Sequence, residues 1–123
     1  MADSHSTTNL VSVGHNCDAY TAATQALQRL HFKIPAGTRI LIKPNAGRAS
    51  APGSGITTSP QVVAAVIDFL RECGADNLAI GESPITGVAA MEAFETTGIA
   101  QVARERGIEL IDMDKSQPVT IDI

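Results

Sequence analysis

Aromatic residues are scarce in this chain: one Tyr, three Phe and no Trp among 123 residues. A core drawn from this composition has to be aliphatic, made of Val, Ile, Leu and Ala, which suits helices packed on a parallel sheet. The same scarcity leaves almost no platform for stacked bases, and the nine basic residues are spread along the chain without forming a stripe. With a net charge of −4, no nucleic-acid partner is expected. Cysteine is equally sparse, and Cys17 and Cys73 are too far apart for a Cys-x-x-Cys metal or redox motif. No apolar run approaches the ~20 residues that span a bilayer. The polar start, residues 1–8, shows no basic segment followed by an apolar one. The expectation is a cytoplasmic protein with no membrane partner.

What the chain does contain is ordinary globular composition, 44% hydrophobic and 18% charged. Its length suits one domain, able to bury roughly 65% of the unfolded surface. The expected organisation is a disordered tail over residues 1–8 and a single α/β domain over residues 9–123. Leu10–His15 reads as a first strand, with Asp18 capping a helix over Ala19–Leu30. Arg39–Lys43 reads as a second strand. Ser59 and Pro60 open an amphipathic helix to Cys73, ended by Gly74. Asn77–Gly81 and Ile108–Ile111 read as further strands, separated by short helices over Val88–Thr97 and Ile99–Arg106. The tail Val119–Ile123 alternates apolar and polar residues as a half-buried strand does. Strands alternating with helices predict a three-layer α/β, Rossmann-like fold with a mostly parallel sheet of four to five strands. The chain stops inside a strand-like pattern. It is therefore expected to be the leading part of a longer fold, with pairing of the tail to another chain as the alternative.

In a parallel sheet every strand leaves on the same edge, where open α/β sheets bind their ligands. That edge would gather His15, Asn16 and Cys17, then Lys43 and Asn45, Glu82 and Ser83, and Asp112 and Asp114. Lys43 stands out because Pro44 holds its backbone extended. It can bind phosphate or carboxylate, or act as a base if desolvated, or simply snorkel from a strand end. Asn45 can bond a ligand or shape the loop. The glycine-rich loop Gly47–Gly55 leads to a helix start, where free N–H groups favour anions, and Arg48, Thr57 and Thr58 add charge and hydroxyls. Ser59 reads as a cap. The loop is not a P-loop, because no Gly-Lys-Ser/Thr closes it, and no dinucleotide Gly-x-Gly-x-x-Gly follows a strand. Glu82 fits an acid/base, a metal ligand or a solvated turn carboxylate. Asp112 and Asp114 are spaced like ligands of a hard cation, a spacing also common in surface turns. His15 and Cys17 lack a placed partner, and Cys73 reads as core.

The order of these motifs resembles the domain of unknown function 362 family. The matching features are a strand ending in Lys43-Pro44-Asn45, the helix start Thr57-Thr58-Ser59-Pro60, Gly74-Ala75, the strand end Gly81-Glu82-Ser83-Pro84, Gly98-Ile99, and Ile111-Asp112-Met113-Asp114. The resemblance runs from about residue 10 to the end. Members of that family are usually much longer, and some carry four-cysteine iron–sulfur motifs. The resemblance therefore implies an α/β fold and a redox-linked, iron–sulfur-associated neighbourhood. A 4Fe-4S cluster would need thiolates beyond the two cysteines here.

The leading expectation is a domain that binds a small anionic ligand through Lys43, Asn45, Arg48, Thr57, Thr58 and Ser83, with Lys43 and Glu82 as catalytic candidates. It would form half of a redox-linked enzyme. One alternative is a non-catalytic subunit or interaction module that pairs through its C-terminal strand, with a homo-oligomer or a partner subunit as the expected assembly. Another is a small metal-dependent hydrolase using Glu82, Asp112 and Asp114.

Overall fold

The aliphatic run at Arg39–Ile42 forms the first strand, β1, of a computed structural model that describes residues 10–31 and 33–121. It is preceded by helix α1, Ala19–Gln28, and followed by α2, Pro60–Glu72. Then come β2, Asn77–Glu82, two short helices, α3 (Ala90–Thr96) and α4 (Ile99–Arg106), and β3, Glu109–Asp112, which ends in a 3₁₀ turn at Met113–Lys115. Helix α2 starts where expected: Ser59, preceding a proline, is extended, and Pro60 occupies the first turn. The Ser59 hydroxyl makes no cap bond, whereas its carbonyl accepts from the N–H groups of Val62 and Val63. Asp18 does cap α1, accepting from the Thr21 N–H at 2.8 Å.

The sheet is open and parallel, in the order β1-β2-β3. Register places Ile42, Ile80 and Leu110 side by side on one face, and Leu41, Ala79 and Glu109 side by side on the other. Both crossovers move the same way along the sheet, and right-handed connections then put every crossover helix on one face. The core lies there. Ile67, Ile80, Phe94 and Ile99 are fully buried, and Ile42, Leu78 and Leu110 pack against that cluster. Each such side chain contributes about 1.5–3 kcal/mol by leaving water. Helix α1 packs on α2. The Tyr20 hydroxyl donates to Asp68 at 2.9 Å, and Arg106 of α4 grips the same carboxylate with two bonds, tying three helices together.

Four expectations are corrected. The sheet has three strands among the described residues, not four to five, and its helical layer covers one face rather than two. Residues 10–15 form no strand. They run along α1, where the Ser12 hydroxyl donates to the Ala26 carbonyl at 2.5 Å and Arg29 donates to the Val13 carbonyl. Gly14 passes so close to α1 that a Cβ there would lie 2.0 Å from the Ala22 oxygen. The expected tail strand is likewise not formed over residues 119–121, and residues 122–123 lie outside the described residues, as do residues 1–9. No described helix is long and apolar enough to cross a membrane.

Candidate functional site

Parallel strands deliver Lys43, at the end of β1, and Glu82, at the end of β2, to the same edge of the sheet. The pairing of Ile42 with Ile80 makes them near neighbours. The Lys43 ammonium lies 2.8 Å from Glu82 Oε1. The two side chains differ sharply in exposure, 56% for Lys43 and 3% for Glu82. Glu82 also accepts from two backbone N–H groups, Ala46 at 3.0 Å and Ser83 at 2.8 Å. Burial alone would push the Glu82 carboxyl up. The bonds from Lys43, Ala46 and Ser83 outweigh it, and the carboxyl is held below its usual range. Glu82 is thus a satisfied carboxylate that fixes the backbone after β1 and the ammonium beside it. Neither the acid/base reading nor the solvated-turn reading anticipated this role. The one clue in the sequence was a lysine and a glutamate closing adjacent strands.

Asn45 closes the glycine-rich loop. Its N–H donates to Thr58 Oγ1 at 2.9 Å, its carbonyl accepts from the Thr58 N–H at 2.8 Å, and its side-chain amide donates to the Ile56 carbonyl at 3.2 Å. The two ends of the loop are therefore held together next to Lys43. The Thr58 hydroxyl accepts from Asn45 and keeps its own proton to donate. Arg48 is exposed, and neither it nor Thr57 makes a side-chain bond to another described residue. At the start of α2, Pro60 has no N–H and the Val62 and Val63 N–H groups are used, which leaves that of Gln61. A bond from the Ile85 N–H to the Gly47 carbonyl, at 3.1 Å, joins this loop to the segment after β2.

The β3 side of the edge has the opposite character. Ser83 donates its hydroxyl proton to Asp114. Asp112 accepts from the Asp114 N–H at 3.2 Å and pairs with Lys115 at 3.1 Å. No group of three or more His, Cys, Asp or Glu side chains able to hold a metal occurs among the described residues. His15, Asn16 and Cys17 are not carried to the edge by any strand. They precede α1, where Asn16 accepts from the Asp18 N–H at 2.9 Å. Cys73 is half-buried at the end of α2. Cys17 precedes α1 and Cys73 follows α2, and two thiols do not fit an iron–sulfur cluster that needs four.

A family model described as Domain of unknown function (DUF362) matches residues 40–123, which takes in β1 from Ile40 onward, β2, β3, α2 to α4 and the edge from Lys43 on. No curated protein and no solved structure matches the chain.

Proposed function

Because the chain belongs to the Domain of unknown function (DUF362) family, whose description leaves the activity open, we propose a function from the edge itself: it binds a small anionic group beside Lys43. One observation carries this reading. A lysine ammonium is pinned at the carboxyl edge by a nearly inaccessible carboxylate yet stays half exposed. One of its three donors goes to Glu82, and two remain for a ligand. Holding the ammonium in place beforehand reduces the ordering cost of binding.

The Lys43–Glu82 pair is close to neutral, so attraction has to be completed by other groups. Arg48, the Thr57 and Thr58 hydroxyls and the Gln61 N–H can supply it, on the β1 side of the edge. The positive end of the α2 dipole adds to this. Ser83 is left out of the ligand set, since its proton goes to Asp114, whose negative charge then lies beside it. The fitting ligand is a phosphate or carboxylate group of a small molecule. The redox-linked role rests on the resemblance alone, and no step of it is assigned to these residues.

Calorimetric titration with inorganic phosphate and with small carboxylates tests the reading. Saturable binding by the protein, lost in Lys43→Ala with the far-ultraviolet spectrum retained, is expected. Absence of binding by both classes overturns it.

A further inference from the structure

The sheet face away from the helices carries a second message, independent of the ligand reading. We propose that this face is the surface through which two copies of the chain associate. All-parallel sheets are ordinarily covered on both faces. Here Leu41, on the outer strand β1, is 47% exposed on the uncovered one, with Ala79 next to it in register and Ile111 and Met113 towards the β3 side. The surface dips between the strands into a shallow depression. A Cβ on Gly81 would lie 2.9 Å from Leu41 Cδ1 and 3.2 Å from Met113 Cγ, so these two side chains close over the glycine. An uncovered sheet face with an apolar patch at Leu41, Ala79 and Ile111, rimmed by Arg39, Asn77 and Glu109, suits a second sheet stacked about 10 Å away.

Charge selects a second copy as the occupant. Arg39 lies on β1 and Glu109 on β3, at opposite sides of this face. Both are exposed, and neither forms an ion pair among the described residues. A two-fold axis running along β2 lays β1 of one copy over β3 of the other. It then carries Arg39 towards Glu109 of the second copy, and by symmetry does so twice. Arg39 pairs in register with Asn77, and Glu109 with Ala79. The offset is two residues, about 7 Å along the strands, which the long arginine side chain spans. The face is therefore complementary to itself.

Sedimentation equilibrium over a concentration series tests the proposal. A reversible monomer–dimer equilibrium is expected, abolished by Leu41→Asp. Arg39→Glu and Glu109→Arg should each raise the dissociation constant about tenfold or more, since each substitution places like charges together twice. The double variant R39E/E109R should return it to within about threefold of the unsubstituted protein. A protein that stays monomeric throughout overturns the proposal. So does a dimer indifferent to both single charge reversals, which would point to pairing along a sheet edge instead, or a double variant no tighter than the singles. The charge variants alter exposed positions, so the test does not depend on the fold tolerating Leu41→Asp.

Discussion

Glu82 holds Lys43 at 2.8 Å from beneath, and the two carry their charges in different media: the carboxylate inside the protein, the ammonium half in water. The carboxylate also anchors the backbone at Ala46 and Ser83. It therefore serves as a structural clamp whose visible product is a positioned cation.

Replacing Glu82 by Gln keeps the size and removes the charge. The amide oxygen can accept one of the two backbone N–H groups, but the amide NH₂ cannot accept the other. The expected cost is about 1–3 kcal/mol, that of leaving a buried donor unmade. Urea unfolding of the two proteins measures it, and a difference below about 0.5 kcal/mol would remove the clamp from the account.

Acid should expose the same clamp. The folded Glu82 carboxyl lies below its unfolded value, which is about 4.3. Its contribution is therefore complete above the unfolded value and lost as pH falls through the folded one. In Lys43→Met burial still pushes the carboxyl up while the ammonium bond is gone, so the folded value rises towards the unfolded one. The acid-dependent loss of stability should then be smaller in Lys43→Met. Unfolding free energies measured from neutral to acid pH test this, and an unchanged pH dependence would contradict it.

The helical layer has its own tie at Asp68. The Arg106 guanidinium, and then the Tyr20 hydroxyl, hold the Asp68 carboxyl below its usual range despite partial burial. Tyr20→Phe should cost about 0.5–1.5 kcal/mol, and Asp68→Ala about 1.5–3 kcal/mol, because the latter releases a charged pair as well. In a double-mutant cycle the two losses should fall short of adding, since both remove the bond between Tyr20 and Asp68. Strict additivity in chemical denaturation would show that this bond contributes nothing.

Much of this architecture was legible in the chain. The three strands that form are aliphatic runs bounded by Gly, Pro or Asp. Helix α2 announces itself through Ser59-Pro60 and a wide apolar stripe, and α4 through the glycines on either side. Leu10–His15 misled because apolar residues recur there as in a strand. Backbone contact with α1, through Ser12, Val13 and Gly14, sets that segment instead, and no local pattern reports it. The site was half legible. Topology brought Lys43, Asn45 and Glu82 to one edge as expected. Which oxygen or proton was already taken was not readable. The Glu82 carboxylate is spent on Ala46 and Lys43, and the Ser83 proton on Asp114, each distant in sequence. Exposure of Leu41 was hidden for a similar reason, since an apolar run gives no sign that one face of its sheet lacks a cover.

The most direct test of the anion site is an amide chemical-shift titration with inorganic phosphate, comparing the protein with Lys43→Ala. Saturable shifts clustered at Asn45, Thr57, Thr58 and Gln61, and lost in the variant, are the predicted result. Shifts that are absent, scattered over the surface, or unchanged in Lys43→Ala would contradict an anion site built around that ammonium.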